Sequence, residues 1–221
     1  MVLRDLLNRG LLSGTAKPLC LVLGLLPMFW LVYGAATAQL GANPAEALIR
    51  STGDWTLRML CVVLAVTPLR VVLGLPALVR LRRLFGLQVY FYAVLHLTCY
   101  AWFDMGFELE DIAQDIAKRP FILVGFTALL LLTPLAATSW NRAIRLLGGA
   151  RWKALHRLVY LVAVLAVLHF FWMRSGKNDF AEVYVYAAVL GLLLGWRLWH
   201  KLSAQRSWTA VRDPGIDQRS R

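Results

Sequence analysis

The residues most able to do chemistry in this chain are its histidines, His96, His156, His169 and His200. The first three lie inside long apolar stretches. An ionisable side chain is costly there and is a functional hypothesis by default. A neutral imidazole is the ordinary axial ligand of haem iron. Two helices offering histidine at one depth can clamp a haem between them, a cofactor site in the core of a bundle. His96 lies toward the far half of one apolar run, and His169 lies at a similar depth in another that crosses in the same direction. They are the expected axial pair.

His156 precedes His169 by thirteen residues, about 20 Å along a helix. At about 100° per residue the two rings would leave a straight helix some 140° apart. Either that helix is irregular, or the rings point different ways, or His156 bonds a haem propionate, lipid or a loop. His200, between Trp199 and Lys201, reads as an interfacial residue. For any one intramembrane histidine the competing reading is a bond to a neighbouring helix carbonyl.

A local repeat surrounds these residues. Ala93-Val94-Leu95-His96 recurs as Ala166-Val167-Leu168-His169, and Thr67-Pro68-Leu69 as Thr133-Pro134-Leu135. The chain therefore reads as two helix pairs on one plan, and superposing the AVLH segments puts Arg83 where the second copy has His156. Arg82, Arg83, Arg151 and Arg157 gather at the same mouth. They are either solvated topogenic charge or partners for a propionate or flavin phosphate.

The elements that must position these side chains are membrane helices. Apolar residues make up 59% of 221 and charged residues 16%, well away from soluble averages. A spanning helix needs roughly 20 mostly apolar residues. The sequence predicts six spans, near 18–38, 55–75, 84–103, 120–139, 154–173 and 180–199, in one all-α domain over 1–221. The first run, with its basic start and Ala36-Thr37-Ala38, has features of a secretory signal. Its apolar stretch is too long for one, and it reads as a retained helix.

Charge sets the direction. With the N-terminus inside, only Arg50, Arg58, Lys118, Arg119, Arg174 and Lys177 of the 24 basic residues fall outside. The positive-inside rule then makes both termini cytoplasmic. Asp104, Glu108, Glu110, Asp111 and Asp115 share one outer loop. The net charge of +12 belongs to short loops beside apolar runs, which argues against nucleic acid as partner. Tryptophans near span ends read as interfacial belts. Cys20, Cys61 and Cys99 form no C-x-x-C pair and read as small apolar residues rather than zinc or disulfide sites.

The stretch from Gly86 to Tyr90 through His96, the run Trp152-Lys153-Ala154-Leu155-His156-Arg157-Leu158-Val159-Tyr160 ending at His169, and both Thr-Pro-Leu triplets resemble the MsrQ (YedZ) family. That family lies within the ferric-reductase-like transmembrane group, which includes NADPH oxidases. The resemblance covers most of the chain. It implies a multi-pass protein of the bacterial inner membrane with haem b, iron held by His96, His169 and His156, and associated FMN. It implies electrons taken from a cytosolic flavin reductase and given to MsrP, a periplasmic molybdoenzyme that reduces protein methionine sulfoxide. The chain would then be an electron-transfer subunit rather than the site of substrate chemistry. NADPH oxidases carry two histidines on each ligand helix; this chain offers Arg83 at the fourth position, so a second haem does not follow.

Two other readings compete. A quinol-linked cytochrome b, or another ferric-reductase-like protein, would need a quinone pocket near one face. A haem-free transporter would need acidic residues at mid-membrane, and those spans lack them. Topology is directly testable: reporter fusions at Gly106 and Gly149 are expected to be periplasmic and cytoplasmic respectively, and the reverse pattern would invert the direction of electron flow.

Overall fold

The structure is a computed structural model describing residues 2–176 and 178–212, with side chains described up to residue 205. Lys177, Arg219 and Arg221, which contribute to the charge asymmetry, lie outside the described residues, as do the side chains of Arg206 and Arg212. In hydrocarbon no water meets an open N–H or C=O, so the backbone must satisfy itself within each segment. The result is helical throughout, with no strand among the described residues. The helices are α1 (Val2–Leu12), α2 (Ala16–Ala36), α3 (Pro44–Val72), α4 (Arg82–Phe103), α5 (Leu109–Lys118), α6 (Pro120–Ala137), α7 (Asn141–Leu147), α8 (Gly149–His156), α9 (Leu158–Ser175) and α10 (Ala181–Arg212). A 3-10 turn, Pro76–Leu81, leads into α4. Six stretches are long and apolar enough to cross a membrane: α2, α3, the 3-10 turn with α4, α6, α8 with α9, and α10. The chain is a multi-pass membrane protein.

The third stretch begins earlier than predicted, at Pro76, and the sixth, α10, runs on to Arg212. Two further differences, in the second and fifth spans, have a clear local cause. The third helix starts at Pro44 rather than near 55. Asn43 caps it, its Oδ1 accepting from Glu46 N–H at 3.1 Å while its Nδ2 donates to the Glu46 carboxylate at 3.3 Å. Asn-Pro-x-Glu is a strong start, with a capping side chain, proline at the first helical position and a carboxylate at the positive end of the dipole. Hydropathy hides it, because Glu46, Arg50 and Asp54 lie in those first turns. At 29 residues the helix runs about 43 Å, longer than the roughly 30 Å hydrocarbon core. The fifth span breaks at Arg157, where Arg157 N–H bonds Ala154 O and Tyr160 N–H bonds Arg157 O. These three-residue bonds tighten the chain for one turn. The fifth helix is therefore irregular, the first of the three options its histidine spacing left open.

Packing follows the repeat. The closest partners are α3 with α4 and α6 with α9, and α4 meets α6 to join the pairs. Leu60, Leu64, Val89, Tyr92, Val162 and Ala163 fill the shared interior. α2 is pinned to α4 by Tyr92 Oη, donating to Gly24 O at 2.7 Å, and by Gln88 Nε2, donating to Leu21 O at 3.2 Å. Gly24 makes that approach possible, since a Cβ there would lie 2.1 Å from Gln88 Nε2.

α10 is joined to α3 through a proline defect. Pro68, inside α3, has no N–H for the carbonyl of Leu64 one turn earlier. Arg197 of α10 donates to that carbonyl, and to Leu193 O at 3.0 Å. Arg197→Met should therefore lower the thermal stability of the detergent-purified protein. In a Pro68→Ala background the new N–H recaptures Leu64 O, and the cost should shrink by about 1 kcal/mol, the scale of an intramembrane hydrogen bond. A thermal-melt double-mutant cycle reads that coupling; strict additivity would show that the two residues act separately.

Candidate cofactor site

The structure brings His96 of α4 and His169 of α9 together, with ring centres 6.2 Å apart and ring planes at 72°. Each ring is tied to its partner helix. His96 Nδ1 meets Ile49 O of α3 at 2.8 Å, and His169 Nδ1 meets Phe121 O of α6 at 2.7 Å. A carbonyl only accepts, so Nδ1 carries the proton in both rings and Nε2 keeps its lone pair. The carbonyl bond that competes with ligation in a sequence reading is present here, and it occupies the nitrogen that ligation leaves over. Both rings line one cavity of about 490 Å³, within the range of ordinary cofactor pockets.

The pair fits a metal-centred group. An imidazole nitrogen sits about 2 Å from a bound first-row metal and roughly 1.2 Å from its own ring centre, so two axial rings stand about 6.4 Å apart. The observed separation is close to that. A second-shell acceptor on the other nitrogen is what orients metal-binding histidines elsewhere. Glycines leave room for the rings: a Cβ at Gly53 would lie 3.1 Å from His96 Cε1, and one at Gly125 only 2.8 Å from His169 Cε1.

His156 is held differently. It ends α8 in a second cavity of about 530 Å³, which Arg82, Arg83, Lys153 and Arg157 also line without any carboxylate. Its ring stacks on Trp152 at 3.9 Å between centres, and its Nε2 meets Thr138 Oγ1 at 3.1 Å. That hydroxyl donates to Pro134 O at 2.7 Å, so it accepts from the imidazole, and Nε2 carries the proton. His156 is therefore the opposite tautomer from the pair. Arg83 and His156, equivalent in the repeat, share this basic cavity. His200 stays apart on α10, exposed and stacked on Trp196 at 5.0 Å. The two cavities share only Leu60, Val89 and Leu132, a thin apolar layer between them.

Sequence reasoning named the histidines and the arginines. It missed Gly53, Gly125, Thr138 and the two carbonyls. The glycines left a faint signal, since Ile49 and Gly53 precede Phe121 and Gly125 by 72 residues each, nearly the 73 that separate the paired histidines. Asp54, inside α3 rather than outside the span, also lines the paired-histidine cavity. So do Asp104, whose carboxyl burial holds above the usual carboxylate range, and Ile116 of α5.

Comparison with known proteins gives one consistent answer. The family model described as "Ferric reductase like transmembrane component" matches residues 52–167. A protein of Polaromonas naphthalenivorans, called protein-methionine-sulfoxide reductase heme-binding subunit MsrQ, is 65% identical over 199 residues, covering 90% of this chain and 91% of that one. Proteins of the same name from Ralstonia nicotianae and Herminiimonas arsenicoxydans are 53% and 46% identical. They cover 80% and 89% of this chain, and 82% and 92% of their own lengths. No solved structure shows a significant match.

The rim of the paired-histidine cavity carries a testable tether. Tyr100 Oη donates to Asp115 Oδ2 at 2.7 Å, and Arg119 pairs with Asp115 Oδ1 at 2.8 Å, fastening α5 beside the opening. Loss of a charge-assisted bond costs about 1.5–3 kcal/mol. Asp115→Asn is accordingly expected to speed amide exchange across 109–118 about tenfold or more, while exchange in α3 and α4 stays unchanged.

Proposed function

Because this chain belongs to the MsrQ family, within the ferric-reductase-like transmembrane components, we propose that it binds haem b between His96 and His169 and conducts electrons across the bacterial inner membrane. The observation that carries the reading is the paired imidazoles, 6.2 Å apart with both Nδ1 protons on helix carbonyls. The chain's relatives are named as heme-binding subunits, and this cavity is where such a group would sit here. Haem, when bound, supplies a one-electron couple that no side chain of this protein offers.

The residues supply binding, orientation and dielectric. His96 and His169 line the cavity with Nε2 unprotonated and available as a ligand, each fixed in tautomer by a carbonyl acceptor on Nδ1. Leu60, Val89 and Leu132 keep water out between the two cavities and hold the dielectric low. Arg82 and Arg83 give the basic cavity its preference for an anion, such as a propionate or the phosphate of FMN. His156 is the third iron-ligand candidate and lies in that same cavity. The basic end faces the cytoplasm, where a flavin reductase delivers electrons. The end bearing Asp104 and α5 faces the periplasm, where MsrP takes them to reduce protein methionine sulfoxide.

Haem content per protein tests this in four variants. His96→Ala and His169→Ala should each lose nearly all the Soret absorbance and the dithionite-reduced α band. His200→Ala should keep both. His156→Ala should retain the paired-histidine haem while changing the remaining spectrum or potential. Full haem in both His96→Ala and His169→Ala would show that the pair is not the ligand set.

A further inference from the structure

We propose that Gly53 and Gly125 are positioning residues that set the orientation and electron donation of the two axial imidazoles; the inference rests on the haem reading above. A histidine ring inside a bundle donates Nδ1–H to a neighbouring helix only by approaching its backbone, because the helix carbonyls lie beneath the side chains. Here the approach is made twice in the same way. The accepting carbonyl is that of Ile49 in α3 and of Phe121 in α6. In each helix the residue four positions later is glycine, Gly53 and Gly125. In a regular helix that residue's N–H bonds the same carbonyl. One turn of helix thus presents a carbonyl oxygen and, above it, a bare Cα against which the imidazole edge lies.

The distances say what a methyl would do. At Gly125 an added Cβ falls 2.8 Å from both Cε1 and Nδ1 of His169 and 3.1 Å from Cγ, inside van der Waals contact with a rigid ring. The ring can yield only toward the cavity it lines, and moving that way lengthens its 2.7 Å bond to Phe121 O. At Gly53 the added Cβ falls 3.1 Å from Cε1 and 3.2 Å from Nδ1 of His96, a milder contact. Alanine should therefore push either ring off its carbonyl and turn it, more strongly at Gly125.

Two readouts follow that a merely structural glycine would not move. The Nδ1–H···O=C bond raises the basicity of Nε2 and favours ferric iron; a lengthened bond shifts the haem potential to more positive values. The low-spin ferric EPR signal depends on the angle between the axial ring planes, 72° here, so turning one ring moves its largest g value. The test compares purified Gly53→Ala, Gly125→Ala and, as a control, Gly191→Ala on α10, where an added Cβ meets nothing within 4 Å. Expected are a positive potential shift and a displaced g value in both cavity variants, larger in Gly125→Ala, with Gly191→Ala unchanged. Complete haem loss from Gly125→Ala beside a shifted Gly53→Ala also supports the proposal. Wild-type potential and EPR in both cavity variants would overturn it, as would equal loss of haem from all three. If His96→Ala and His169→Ala keep full haem, the haem reading itself has failed, which separates the two failures.

Discussion

A histidine placed in hydrocarbon must put its N–H on a protein acceptor, because no water is there to take it. In a bundle of regular helices the carbonyls already accept from the next turn, so the ring must reach past the side chains to share one. That constraint fixes this protein's centre. His96 and His169 each share a carbonyl of the helix packed against their own, Ile49 O and Phe121 O. Each sharing holds Nδ1 protonated and leaves Nε2 with its lone pair. The tight packing of α3 on α4 and of α6 on α9 is what brings carbonyl and ring within reach.

The same economy of backbone groups shapes the periphery. Pro68 removes an N–H from α3, and Arg197 of α10 uses the orphaned carbonyl as its anchor. Gly24 lets Gln88 lie against α2 and reach backbone carbonyls there. In each case a residue that weakens a helix locally, by a missing donor or a missing side chain, becomes the point at which another helix attaches. Helices in lipid gain little from apolar contact alone, so such points and close packing carry the association.

The two cavities differ in the chemistry of their linings. The paired-histidine cavity offers two imidazoles with ring centres 6.2 Å apart. The basic cavity offers four cations at its rim and a histidine of the opposite tautomer, held between Trp152 and Thr138. Only three apolar side chains line both.

Length and apolarity of the six stretches dictated a polytopic helix bundle, since only helices close their own hydrogen bonds in lipid. The spacing of His96 and His169 from their span starts dictated equal depth, and the 6.2 Å between their rings follows from it once the spans pack as pairs. Asn43-Pro44-Ala45-Glu46 also spelled a helix start, although charged residues in the next turns masked it from a hydropathy reading. Other features were decided by tertiary structure. Thirteen residues between His156 and His169 place the rings on different faces of a straight helix; the break at Arg157 is what lets both line the interior cavities. Which nitrogen of each histidine is free depends on a carbonyl or hydroxyl from another helix, and a linear pattern does not carry that. Gly53, ahead of the predicted second span, and Gly125, inside the fourth, drew no reading from the sequence, because their significance lies in a ring that approaches from more than forty residues away in the chain.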